Sequence, residues 1–96
     1  MHCVYLLFNT ETSKFYVGAT NNLKRRLLEH QNGENVSTKY KSPHWQLAYI
    51  EFYKSKTDAL IREKKLKSHG SGIVEIKKRI THSLKLFEPK TGEGQR

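Results

Sequence analysis

Cysteine occurs once, at Cys3, and proline twice, in a chain of 96 residues. One thiol cannot close an internal disulfide, which excludes the small secreted disulfide scaffolds and suits a reducing, cytoplasmic setting. Acidic residues are also few: nine Asp and Glu face eighteen Lys and Arg, a formal charge of +9. The longest uninterrupted apolar run, Cys3 to Phe8, is far short of the ~20 residues that a membrane span needs. The N-terminus lacks the basic-then-apolar pattern of a signal peptide. No Gly-rich phosphate loop is present, and His2, His30, His44, His69 and His82 are too scattered to form a zinc motif. The length allows one domain with a modest core.

The positive charge points to a polyanionic partner through its distribution. Lys54, Lys56, Arg62, Lys64, Lys65, Lys67, Lys77, Lys78 and Arg79 outnumber Asp58, Glu63 and Glu75 in the same stretch. Nucleic acid is the expected partner. A membrane surface is not, because no segment combines bulky aromatics with a basic helical face.

His2–Phe8 is rich in β-branched and aromatic residues and reads as a strand; Lys14–Ala19 reads as its hairpin partner across a polar turn at 9–13. Asn21 or Asn22 can cap a helix running to Gln31, and Asn32-Gly33 stops it. Residues 34–43 form a basic polar loop, and Trp45–Tyr53 a third strand. Ser55 and Asp58 open a second helix that ends near Lys67, where His69-Gly70-Ser71-Gly72 breaks it. Ile73, Ile76, Ile80 and Leu84 recur at helical spacing and give a third helix. The fold class is therefore α+β, a small three-stranded antiparallel sheet flanked by helices in the order ββαβαα. One domain over residues 1–87 is expected, followed by a polar tail over 88–96 that contains Pro89 and two glycines.

Several residues stand out against that background. Ala59, Glu63 and Leu66 share one helix face, so Glu63 is either an edge glutamate reaching water or a lysine, or a ligand for a cation. On the first helix Leu23 and Leu27 define the buried direction. Arg26 and His30 then stand together at the rim of the sheet, a half-buried pair able to face a phosphate, whereas Arg25 points to solvent. Tyr5, Tyr16 and Gly18 fall on one face of the hairpin. A glycine inside a strand often marks the close approach of a ligand, and the Tyr5 hydroxyl is expected to be open to water. Lys39 and Tyr40 mix base and aromatic as a nucleic-acid contact does, and Lys64, Lys65 and Lys67 add phosphate contacts of low specificity. Cys3 reads as core.

These pieces together resemble the GIY-YIG nuclease superfamily. Val4-Tyr5 and Tyr16-Val17-Gly18 match the paired GIY and YIG motifs, although the first reads Cys3-Val4-Tyr5, losing the glycine and isoleucine but keeping the tyrosine. The family arginine falls at Arg26, its histidine at His30 and its metal-binding glutamate at Glu63; where several members carry asparagine, this chain has Glu75. The branch that looks most similar is the small single-domain bacterial members, related to the nuclease module of the excision-repair incision subunit.

The resemblance implies a metal-dependent endonuclease acting on DNA, RNA not being excluded, in repair or recombination. Glu63 would hold one Mg²⁺ or Mn²⁺, Arg26 would neutralise the phosphoryl oxygens, and Tyr5 would handle the attacking water with His30 drawing off its proton. Tyr16 would position a phosphate oxygen, and Gly18 would let the strand approach the scissile group. A module this small would need a protein partner or self-association for strong site specificity. The alternative is a non-catalytic nucleic-acid-binding domain of the same fold.

Overall fold

In the computed structural model, which describes residues 1–87, the apolar run becomes β1 (His2–Asn9). It shows no polar alternation because it is the middle strand of a three-stranded antiparallel sheet ordered β2-β1-β3, with both of its faces covered. Residues Cys3 to Leu7 are all buried. The flanking strands are β2 (Phe15–Thr20) and β3 (Trp45–Tyr53). The β1–β2 register pairs Tyr5 with Gly18 and Leu7 with Tyr16. A bulge between Leu6 and Leu7 shifts the β1–β3 pairing.

Alternation sorts the core into two layers. Val4, Leu6 and Val17 face one side, where they meet Ala59, Leu66 and Ile76 from the C-terminal helices. Cys3, Tyr5, Leu7 and Trp45 face the other, against Leu23 and Leu27 of α1 (Leu23–Gln31). α1 begins at Asn22, whose side chain accepts from the Arg25 amide. It ends at Asn32, with Gly33 in the left-handed region at φ 75°, where glycine carries no steric penalty. Residues 34–44 are not a featureless loop; they contain two short 3-10 turns, Val36–Thr38 and Ser42–His44. Buried Asn9 ties this segment to the hairpin turn. Its Oδ1 accepts from the Glu11 and Thr12 amides at 2.9 Å each, and its Nδ2 donates to the Lys41 carbonyl at 3.0 Å.

α2 (Lys56–Ser68) is capped by Ser55, which accepts from the Asp58 amide. Glu51 of β3 clamps α2 to the sheet. It receives two hydrogen bonds from Arg62, at 2.9 and 3.0 Å, and one each from the Tyr49 and Tyr53 hydroxyls. The expected break at 69–72 shortens to His69 alone. α3 (Gly70–Arg79) starts at the first glycine, and the chain turns again at Ile80 into α4 (Thr81–Lys85). Gly72 serves packing rather than termination, since a Cβ there would meet Leu66 Cδ2 at 2.8 Å. Phe87 closes the described chain against Phe8, with ring centroids 5.6 Å apart. The expected tail at 88–96 lies outside the described residues.

Candidate active site at the β2 edge

Period-two alternation puts Tyr5, Tyr16 and Gly18 on the α1 side of the sheet. Gly18 is required there by Tyr5 itself: a Cβ on residue 18 would overlap the hydroxyl end of the Tyr5 ring. The space at this glycine is filled from within the protein. The expectation for Gly18 is that it lets the strand approach the scissile group; the space in front of it is taken by Tyr5. Tyr5 is only 1% exposed, so its hydroxyl is not open to water as expected. It is bonded to His30 Nε2 at 2.8 Å, and His30 Nδ1 contacts Thr38 Oγ1 at 2.7 Å. The Tyr16 ring lies 5.0 Å from the imidazole, centroid to centroid.

His30 is 0% exposed. It does not stand beside Arg26 at the rim, as the helical phase implied, and it offers no nitrogen to a phosphate. Phase gave its direction correctly, but the 36–38 turn folds over it and seals it beneath Tyr5 and Tyr16. Arg25 and Arg26 separate as expected, with side chains 60% and 28% exposed. Arg26 donates to Glu29 at 2.9 Å, and Glu29 also faces Arg25 at 3.8 Å.

Burial sets the proton affinities. It pushes the Tyr5 phenol up to about 12; the Arg26 charge pulls against that, while Tyr16 and Glu63 add to it. Burial, then the Arg26 charge, lowers His30 to about 4, against the pull of Glu29. At neutral pH His30 is therefore an uncharged imidazole and Tyr5 an intact phenol. Burial also works against the Arg26 charge, but Tyr5 and Glu29 outweigh it and keep the guanidinium firmly protonated.

Glu63 comes from the opposite layer. α2 packs beneath the sheet through Ala59 and Leu66, yet Lys67 Nζ sits 5.5 Å from the Tyr16 ring centroid. The Glu63–Lys67 turn therefore reaches round the edge strand β2 to the tyrosine side. Glu63 is 21% exposed and pairs with Lys67 at 3.1 Å, so its carboxylate already faces a position that takes a cation. A single carboxylate among oxygen donors suits a hard, largely hydrated divalent ion. Among the described residues no cluster of three or more His, Cys, Asp or Glu could hold a metal, so a divalent ion at Glu63 would have to take most of its ligand shell from water. Beside the site a cleft of about 310 Å³ opens between the starts of α1 and α2, lined in part by His2, Thr20, Arg25, Arg26 and Lys56.

Tyr5, Tyr16, Gly18, Arg26, His30, Glu63 and Lys67 thus converge. Lys39 and Tyr40 remain exposed on the loop just past Thr38, and Lys64 and Lys65 lie exposed on α2. Glu75 is exposed too and pairs with Lys78 at 3.4 Å. Two members of the site went unnoticed in the sequence. Glu29 was signalled by its i, i+3 spacing from Arg26; Thr38 had no signal, because its contact depends on how the loop folds.

The GIY-YIG catalytic domain matches residues 1–72. A UPF0213 protein of Limosilactobacillus reuteri is 34% identical over 89 residues, covering 78% of this chain and 92% of its own length. UPF0213 proteins of Natronomonas pharaonis and Clostridium perfringens are 37% and 38% identical, covering 70% and 66% of this chain and 78% and 67% of their own. No solved structure matches the chain significantly. No described helix is long and apolar enough to cross a membrane. The match over residues 1–72 and relatives more than 30% identical over two thirds of the chain, together with the three-stranded antiparallel sheet, place this chain in the GIY-YIG family, a family of nuclease type.

Proposed function

We propose that the chain is a metal-dependent endonuclease that hydrolyses phosphodiester bonds in DNA, in repair or recombination. The observation that carries this reading is the 2.8 Å bond between the Tyr5 hydroxyl and His30 Nε2, made to an imidazole whose lowered proton affinity keeps it neutral. A phenol raised to about 12 is a poor base alone. With a neutral imidazole behind it, Tyr5 can pass its own proton to Nε2 while accepting one from an attacking water, which reaches the buried hydroxyl once substrate draws the neighbouring Arg26 aside. Arg26, partly exposed beside Tyr5, neutralises the phosphoryl oxygens once the substrate competes with Glu29 for its N–H groups. Tyr16 lines the approach and orients a phosphate oxygen. Glu63 would hold Mg²⁺ or Mn²⁺ in exchange for Lys67, and the ion would supply charge neutralisation for the phosphoryl group. Lys67, once displaced, Lys39, Tyr40, Lys64 and Lys65 contribute phosphate contacts over a wider surface. RNA would meet the same charges.

One observation favours the alternative of a non-catalytic nucleic-acid-binding domain. Arg26 is paired with Glu29 and Glu63 with Lys67, so both groups are satisfied without substrate or metal. Incubating the protein with labelled branched, damaged, single-stranded and duplex DNA, in Mg²⁺, Mn²⁺ or EDTA, separates the two readings. Nicking that EDTA stops supports the endonuclease. Binding without cleavage of any substrate in either metal supports the binder.

A further inference from the structure

His30 has two ring nitrogens, both engaged, and at neutral pH one proton to place on them. The contacts at 2.8 Å to Tyr5 and 2.7 Å to Thr38 do not by themselves say which nitrogen carries it. The ends of the chain of hydrogen bonds do. On one side the only hydrogen bond of the Tyr5 oxygen among the described residues is the one to His30 Nε2, in a side chain that is almost fully buried, so the Tyr5 proton is turned toward His30. On the other side the Thr38 hydroxyl reaches the Asn35 carbonyl at 3.5 Å, a group that can only accept. The Thr38 proton therefore points away from the ring and leaves a lone pair facing Nδ1. Both ends impose one direction, from Tyr5 through His30 and Thr38 to Asn35.

Thr38 is held in that position by bonds that do not involve its hydroxyl. Its carbonyl accepts from Trp45 Nε1 at 2.8 Å, and its amide donates to the Asn35 carbonyl at 3.1 Å. The Asn35 side chain closes the same turn by accepting from the Ser37 amide at 2.9 Å. Thr38 is buried, so no water replaces its hydroxyl when it is removed. The oxygen meets Nδ1 because the backbone on both sides is anchored.

We propose that Thr38 is a positioning residue: by accepting the Nδ1 proton, its hydroxyl holds His30 in the single neutral form whose Nε2 is free to receive a proton from Tyr5. In the other form Nε2–H donates to Tyr5, the tyrosine proton has no base, and the relay is blocked. This role rests on the reading of Tyr5 and His30 given above, but the ring's proton position can be measured without any cleavage.

The test is nitrogen-15 NMR of His30 in the full chain near neutral pH, for the wild type, Thr38→Val and Thr38→Ser, with single-turnover cleavage in parallel. The wild type should carry its proton on Nδ1. Thr38→Val keeps the side-chain shape and loses the acceptor, so the ratio of Nδ1–H to Nε2–H should fall at least about tenfold, the ratio that corresponds to one hydrogen bond. Its cleavage rate should fall by a similar factor with DNA affinity unchanged. Thr38→Ser should restore both. Protonation on Nε2 in the wild type, an unchanged ratio in folded Thr38→Val, or no restoration by serine each overturns the proposal. If Thr38→Val does not fold, the wild-type and Thr38→Ser measurements still decide it. Protonation on Nδ1 in a protein that cuts no DNA would refute the endonuclease and leave Thr38 its role. Cleavage with the proton on Nε2 would do the reverse.

Discussion

Tyr5 lies across its registered partner Gly18, with the hydroxyl end of the ring in the space that a side chain on residue 18 would fill. The missing methyl group is what lets the phenol reach His30. Gly18→Ala should therefore displace the ring and destabilise the fold by about 1–3 kcal/mol, as overpacking does. Urea unfolding checks the stability. If the glycine served only the approach of DNA, the substitution would weaken binding and leave the unfolding midpoint in place.

Tyr5→Phe keeps the buried ring and removes one end of the bond to His30. The rate of single-turnover cleavage should drop by about 10²–10⁴, the range of acid–base groups. The buried Nε2 loses its partner, so stability should also fall by about 1–3 kcal/mol, more than a solvent-facing hydroxyl would cost. A folded variant cutting at the original rate would end the role given to Tyr5.

Arg26→Ala should abolish cleavage, whereas Arg25→Ala should only weaken binding and flatten its salt dependence. Arg26 is the less exposed of the two and sits beside Tyr5; Arg25 faces the cleft at the start of α1. Single-turnover rates at saturating protein, with affinities across a salt series, separate the two effects. Equal losses of rate would refute the assignment.

Stability should fall as the solution is acidified from neutrality. His30 titrates near 4 when folded and near its ordinary 6.5 when unfolded. Below 6.5 the unfolded chain binds a proton that the native site refuses, so the native state loses ground until pH 4. By pH 5 the loss should be about 2 kcal/mol, and about 3 kcal/mol in full. Urea midpoints at pH 7 and pH 5 for wild type and His30→Gln measure it; the variant should show a shallower slope over that interval.

Glu63→Gln should leave DNA binding intact or tighten it, because one negative charge leaves a basic surface, and should remove metal-dependent turnover. Isothermal titration with Mg²⁺ or Mn²⁺ would check the ligand role directly. Retained turnover would move the metal elsewhere.

Much of this arrangement was legible because it follows from period. Alternation along β1 and β2 put Tyr5, Tyr16 and Gly18 on one face, and the helical phase set by Leu23 and Leu27 distinguished Arg26 from Arg25. The i, i+4 spacing of Glu63 and Lys67 was equally open to reading. What depended on chain folding back on itself was not. His30 was assigned the right direction and the wrong depth, since the turn that covers it belongs to a loop without periodic pattern. Gly70 and Gly72 looked like a break because glycine disfavours helix. The helix nevertheless runs through both, with the Leu66 side chain packed close against Gly72.

The two layers of the sheet each hold part of the machinery. Tyr5, Tyr16, Arg26 and His30 are gathered by α1 on one side, whereas Glu63 is delivered around the β2 edge by α2 from the other. A half-folded molecule, with its first helix docked and its second still loose, would have the proton-handling groups and no carboxylate for the ion. During synthesis that carboxylate also emerges later than the tyrosines, the arginine and the histidine. Under the endonuclease reading proposed above, such a division would work as a safety catch: the capacity to cut would come only with the finished fold and would disappear as soon as either layer lifts away.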